Sequence, residues 1–279
     1  MIASLITWVK HLREYIKRGG EVHFECSFVS CGQELKDRRI LITGGSSGIG
    51  LAIAKRCLHE GAGVLITGRN LDKLKIAQRE LATDKVHIMQ WDINDVVSVD
   101  KNIKQAESIL GGELDILVNN AGVSNRQTPE MLTLDAWKRI IDINLTGTLF
   151  VMKGMCDRWA RSQRHGVILN IGSTAGVALA VDAYGASKSA LMQLTRGWAK
   201  FYAPKGIRIN ALAPGVIVGT DINALQRSIS TVGNLYCESY PSRRFGVPEE
   251  VAESALFLIS DRSAYMFGQT LVLDGGATL

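Results

Sequence analysis

Tyr184 and Lys188, four residues apart in Tyr184-Gly185-Ala186-Ser187-Lys188, are the side chains in this sequence best suited to moving protons. At that spacing on a helix they share a face, so the ammonium can stand near the phenol. A free phenol has a pKa of about 10, too high for a base at neutral pH. A neighbouring cation favours the phenolate and draws the value down. Such a group can give a proton to a carbonyl or take one from an alcohol. An ordinary pair on an exposed helix is spelled the same way, so its meaning depends on its surroundings.

A second feature binds rather than reacts. The segment Thr43-Gly44-Gly45-Ser46-Ser47-Gly48-Ile49-Gly50 follows an apolar run and opens a helical one. Glycines there allow a tight turn and a close approach to a pyrophosphate. The helix start adds free N–H groups and the positive end of its dipole. A strand before and a helix after raise this above a plain structural turn and point to a dinucleotide.

The elements that must position these groups alternate in kind. Apolar, β-branched runs at Ile40–Thr43, Val64–Thr67, Val86–Gln90, Leu114–Val118, Val167–Ile171, Ile207–Leu212 and Thr270–Leu273 read as strands. Between them, Ile49–Glu60, Leu71–Leu81, Ala136–Lys153, Ser187–Tyr202 and Glu249–Leu258 have helical length and period. Alternation of this sort predicts βαβ crossovers and a parallel sheet covered on both faces, an α/β doubly wound fold. We place one domain over residues 37–279, holding cofactor and substrate sites together, and an extension over 1–36. In the extension Leu5, Trp8, Leu12, Tyr15 and Ile16 suit an amphipathic helix, and Val22, Phe24, Cys26 and Phe28 alternate as in a strand. It reads either as a docking or membrane-surface helix or as an appendage packed on its own subunit.

Bulk properties exclude several classes. Hydrophobic residues make up 46% of the 279, enough for a large core, and charged residues 21%. A net charge of +5 without a long basic run argues against nucleic-acid binding. Cys26, Cys31, Cys57, Cys156 and Cys237 are odd in number and lack compact spacing, against a disulfide framework or a zinc site and in favour of reduced thiols. No stretch reaches the roughly 18 apolar residues of a membrane span. The expectation is a soluble, cytoplasmic protein with no metal and no integral membrane segment.

Gly44, Gly48 and Gly50 spell G-x-x-x-G-x-G, and further motifs follow in order. They are Asn119-Asn120-Ala121-Gly122, Ile143-Asn144-Leu145-Thr146-Gly147, Ser173, the Tyr184/Lys188 pair, Pro214-Gly215 and Asp274-Gly275-Gly276. This series resembles the short-chain dehydrogenase/reductase family over residues 37–279. Arg244-Phe245-Gly246-Val247-Pro248-Glu249-Glu250-Val251-Ala252 is similar to the 3-oxoacyl-carrier-protein reductases within it. The resemblance implies a Rossmann fold with a seven-stranded sheet, and Asn144, Ser173, Tyr184 and Lys188 as the catalytic set. Ser173 then orients the substrate oxygen, Lys188 also binds the nicotinamide ribose, and Asn144 links Lys188 to solvent through a water. It places the dinucleotide against Gly44, Ser46, Ser47, Gly48, Ile49 and Gly50, with Asp92 and Ile93 at the adenine. Asn119, Ala121 and Gly122 line the adenosine side, and Pro214, Gly215 and Ile217 flank the nicotinamide carboxamide. Ser173 and Tyr184 are 11 residues apart, a couple fewer than is usual in the family. The threonine usual three residues after Pro-Gly is replaced here by Gly219-Thr220, which assigns Thr220 to the cofactor through a one-residue extension. Relatives commonly form tetramers through the helices holding Ala136–Lys153 and Ser187–Tyr202 and through the C-terminal strand, which implies a homo-oligomer, tetramer or dimer.

The second strand runs into Gly68-Arg69. Gly68 stands where an NAD-preferring site carries an acid for the ribose hydroxyls, and Arg69 offers a guanidinium to a 2′-phosphate, which favours NADP over NAD. The resulting expectation is an oxidoreductase moving hydride between nicotinamide and a ketone or aldehyde and its alcohol, a small molecule. The segment Asp221–Arg243, the substrate loop, supports no particular substrate class. The alternative reading is a catalytically silent dinucleotide-binding or scaffolding protein.

Overall fold

The computed structural model describes residues 32–125, 127–178, 180–220, 237 and 239–279, with Val9 alone from the first thirty. The helix and strand expected before residue 31, and the substrate-loop residues 221–236, lie outside the described residues. The chain divides into two units, Met1–Ser30 and Cys31–Leu279.

Alternation inside each apolar run decides the layering. In β1 (Arg39–Thr43), Ile40 and Ile42 join one core cluster while Leu41 joins another. In β2 (Gly63–Gly68), Val64 and Ile66 oppose Leu65, and in β4 (Ile116–Asn119), Ile116 and Val118 oppose Leu117. Successive side chains leave opposite faces of a strand, so a run buried on both faces must be apolar throughout. The remaining strands are β3 (Val86–Gln90), β5 (Gly166–Ile171), β6 (Ile207–Pro214) and β7 (Thr270–Leu273). All seven pair in parallel in the order β3-β2-β1-β4-β5-β6-β7.

Helices α1 (Gly48–His59), α2 (Leu71–Leu81) and a C-terminal helix, Pro248–Ile259, cover the first face through Ile53, Leu74 and Leu256. Helix α3 (Val99–Ile109) lies on the other and has no counterpart among the sequence expectations. Its apolar stripe is one residue wide, Val99, Ile103 and Ala106, in otherwise polar sequence. The single helix expected over Ala136–Lys153 is α4 (Leu134–Ile141), a π-helical segment Asp142–Gly147, and α5 (Thr148–Ser162). A Cβ on Gly147 would stand 2.5 Å from the Ile93 carbonyl oxygen, so the wider turn is pressed onto the loop after β3. The catalytic candidates Tyr184 and Lys188 sit on α6 (Ala183–Tyr202). The C-terminal helix, α7, ends against a buried arginine. Arg208 of β6 donates to the carbonyls of Leu258, Ile259, Ser260 and Ser263 and so satisfies the orphan acceptors there.

Leu35, ahead of β1, is buried in the core with its N–H bonded to the Glu60 carbonyl. No helix among the described residues is long and apolar enough to cross a membrane. The order of strands reverses between β1 and β4, and at such a switch point a crevice opens beyond the carboxyl ends of the strands.

Candidate active site

Two loops build the floor of that crevice, and polar staples hold them together. Gly44 has φ +66°, and a Cβ on it would stand 2.8 Å from the Cα of Ala121. Only glycine fits this left-handed turn pressed against the loop after β4. The Asn120 amide donates to the carbonyls of Thr43 (3.1 Å) and Gly44 (2.8 Å). The Thr43 hydroxyl in return accepts from the backbone N–H groups of Asn120 and Ala121, both at 3.1 Å. Neither Thr43 nor Asn120 was a sequence candidate, though the Asn119-Asn120 doublet at a strand end is a usable signal. No side chain caps α1, whose first turn therefore offers its N–H groups to an anion.

The cleft above has a volume of about 940 Å³. Of the cofactor candidates, Gly44, Ser46, Ser47, Gly48, Ile49, Arg69, Asp92, Ile93, Ala121, Gly122 and Thr220 line it. Arg69 is exposed, its backbone carbonyl held by Gln90 Nε2 at 2.8 Å, and among the described residues no carboxylate pairs with its guanidinium. Thr220 is buried and packs its methyl on Gly48, where a Cβ would lie 3.2 Å away, so the one-residue extension still delivers it to the turn. Trp91 and Arg139 also line the cleft, and nothing in the sequence singled them out.

Five candidates stand elsewhere. Gly50 is packed beneath the turn, where a Cβ would meet Asn120 Nδ2 and the Gly44 oxygen, each at 2.4 Å. Asn119 is buried and donates to Asn170 Oδ1. Pro214 ends β6, Gly215 bonds through its N–H to the Leu273 carbonyl, and Ile217 is 2% exposed and packed in the core. The Ile217 carbonyl accepts from the hydroxyl of Thr220, the residue packed on Gly48.

Asn144, Tyr184 and Lys188 come together beside Gly122. Asn144 is fully buried; its Oδ1 accepts from Val123 N (2.8 Å), and its Nδ2 donates to the Val123 carbonyl (2.9 Å) and to Ser187 Oγ (3.2 Å). It thus ties the loop after β4 to α6, and the π-helical turn presents it inward. Lys188 is 3% exposed, donates to the Ile171 carbonyl at 2.7 Å, and lies 5.9 Å from the centroid of the Tyr184 ring. Burial pushes its ammonium down to about 8, still protonated for the most part at neutral pH. A Cβ on Gly122 would stand 3.4 Å from Asn144 Oδ1 and 3.5 Å from Lys188 Nζ, so glycine leaves the space beside both polar heads unfilled.

Ser173 leaves β5 and caps a short turn, Thr174–Gly176, accepting from Ala175 N. Two glycines press that turn against α6. A Cβ on Gly176 would lie 2.5 Å from Ser189 N, and one on Gly185 would lie 2.8 Å from the Ala175 carbonyl oxygen.

The glycine cradle, the uncapped helix start and the open cleft fit a nicotinamide dinucleotide laid across the switch point. A family model described as enoyl-(acyl carrier protein) reductase matches residues 44–278. The chain is 34% identical over 248 residues to the 3-oxoacyl-[acyl-carrier-protein] reductase of Aquifex aeolicus, covering 87% of this chain and 98% of that one. This chain belongs to the short-chain dehydrogenase/reductase family. Another member, 2-(S)-hydroxypropyl-CoM dehydrogenase 3 of Xanthobacter autotrophicus, is 35% identical over 255 residues, 88% of this chain and 98% of that one. The crystal structure of a short-chain dehydrogenase from Bacillus anthracis superposes with a TM-score of 0.80 at 32% identity, over 88% of this chain and 98% of the other. Members of this family are oxidoreductases that use a nicotinamide dinucleotide on small-molecule substrates, and this chain shares their seven-stranded Rossmann fold.

Proposed function

We propose that this short-chain dehydrogenase/reductase interconverts a ketone or aldehyde and its alcohol with NADP(H), using Tyr184 as the acid–base group. The observation that carries the reading is Lys188, an ammonium buried against the Tyr184 ring, anchored on the Ile171 carbonyl and adjoining Asn144. A charge that costs solvation to bury and has no carboxylate partner among the described residues is retained for its effect on a neighbour. Bound in the cleft, the reduced nicotinamide supplies a hydride to the carbonyl carbon and its oxidised form takes one back from the alcohol.

In the reductive direction Tyr184 Oη gives its proton to the substrate oxygen, and in the oxidative direction it takes that proton up. Lys188 favours the phenolate that remains and binds the nicotinamide ribose. Ser173 Oγ holds the substrate oxygen toward Tyr184, and Asn144 keeps Lys188 in proton contact with solvent. Gly44, Ser46–Ile49, Ala121 and Gly122 hold the dinucleotide, and Arg69 meets its 2′-phosphate. The unit Cys31–Leu279 carries the cofactor and substrate sites, and the active form is a homo-oligomer assembled through the segment Ala136–Lys153, through α6 and through β7.

The test is Tyr184→Phe. Dinucleotide affinity stays close to wild type, and turnover falls by roughly 100- to 10,000-fold, the range of positioned acid–base groups. A variant with near wild-type kcat refutes the assignment. Wild-type protein that binds NADPH but turns over none of a broad panel of ketones, aldehydes and alcohols is instead the silent relative.

A further inference from the structure

A ladder of polar side chains crosses the sheet just beneath the cleft. Thr67, Thr43, Asn119 and Asn170 stand in register on four adjacent strands, and each is at most 3% exposed. Its last rung turns upward. Asn170 Oδ1 accepts from Asn119 Nδ2 at 2.9 Å, and Asn170 Nδ2 donates to the Thr195 hydroxyl of α6, also at 2.9 Å. The hydroxyl donates onward to the Leu191 carbonyl at 2.9 Å. Asn170 and Thr195 are both fully buried.

Thr195 lies seven residues beyond Lys188, two turns along the same face of α6. The residue after Asn170 is Ile171, whose carbonyl receives the Lys188 ammonium. Consecutive residues of β5 therefore grip the helix at two points. To the packing that already seats the helix this adds a buried hydrogen bond, which is lost outright when the register shifts. We propose that Asn170, through its bond to Thr195, is a positioning residue that sets where α6 holds Lys188 and Tyr184 relative to the strand carrying Asn119. The role rests on the Tyr184–Lys188 reading above, because it acts through those two side chains. It also ties the helix to the loop that begins at Asn119, which carries Ala121 and Gly122 into the cleft.

The experiment uses Thr195→Val, which keeps the shape and removes the hydroxyl, beside Thr195→Ser, which keeps the hydroxyl. Folding is checked by circular dichroism; Thr195→Ala carries the same readouts if the valine variant does not fold. Alcohol oxidation is followed against pH, and NADP affinity by fluorescence titration. With the hydroxyl gone, kcat falls about 10- to 100-fold, the scale of a reacting group displaced by a fraction of an ångström. The acid limb of the profile moves to higher pH, because a displaced ammonium favours the phenolate less. Serine restores both. A folded variant with wild-type kcat and an unmoved acid limb, whatever its melting temperature, overturns the proposal. Tyr184→Phe in the same assay separates the two readings. If it retains turnover, the acid–base assignment fails on its own. The placement of Lys188 is then read from NADP affinity, and an affinity in Thr195→Val equal to wild type overturns the positioning role.

Discussion

Changing Gly68 to aspartate should shift the coenzyme preference toward NAD, and together with Arg69→Ala should invert it. Gly68 closes β2, its φ is not in the left-handed region, and a Cβ on it would lie 3.7 Å from Ser46 Oγ and 3.8 Å from Leu74 Cδ2. Those are ordinary contacts, so the side chain enters the cleft without strain, beside a serine that lines it. There the carboxylate can accept from the ribose hydroxyls of NAD, and it faces the 2′-phosphate of NADP with like charge. At about 5 Å and an effective dielectric of about 20, each pair of unit charges costs on the order of 3 kcal/mol. Salt at physiological strength reduces this, leaving about 2–3 kcal/mol, or roughly 30- to 150-fold. Arg69→Ala removes an exposed phosphate contact of about 1–2 kcal/mol, roughly 5- to 30-fold. The assay is the ratio of kcat/KM for NADPH over NADH in wild type, Arg69→Ala, Gly68→Asp and the double variant. Wild type lies above one, each single change lowers the ratio, and the double variant falls below one. A wild-type ratio below one, or a Gly68→Asp ratio within about threefold of wild type, refutes the reasoning.

Gly122→Ala should fold normally, since the added methyl makes ordinary contacts, yet it stands between Asn144 and Lys188 and interrupts proton supply. A kcat lowered about 10-fold or more with little change in Tm is the expected result, and an unchanged kcat counts against the relay. Lys188 links stability to pH. Its folded value of about 8 lies below the unfolded one, so its contribution is complete only above the unfolded value and is lost as pH falls through about 8. Denaturation of the cofactor-free protein should therefore show Lys188→Met most stabilised relative to wild type below pH 8, by a few kcal/mol at most. The two should converge as pH rises toward about 10, and a pH-independent difference would refute the burial cost. Gly166→Ala should destabilise by about 1–3 kcal/mol in urea, because a Cβ would lie 2.2 Å from the buried Trp159 ring, which its Nε1 bond to the Leu114 carbonyl holds in place.

The strands were legible in the sequence because a sheet covered on both faces favours unbroken apolar runs, as in Ile40-Leu41-Ile42 and Val64-Leu65-Ile66. The glycine turn was legible because Gly44 requires a backbone that other residues rarely adopt. Tyr184 and Lys188 were legible because a helix puts residues four apart on one face. Helix α3 was not, since a stripe of three apolar residues is too narrow to stand out from polar sequence. The π turn was not either, because it comes from the contact of Gly147 with the loop after β3, more than fifty residues earlier. Gly50, Asn119 and Ile217 belong to cofactor motifs in the sequence, and that all three are buried is visible only in the folded chain. Arg139 and Trp91 reach the cleft only through the crossovers of the sheet. Asn170 and Thr195 are 25 residues apart with no pattern joining them, and only strand register and helix docking bring them to 2.9 Å. Local geometry is written in the spacing of residues along one element; contact between elements depends on how side chains fill the space left by all the others, and only the folded chain decides that.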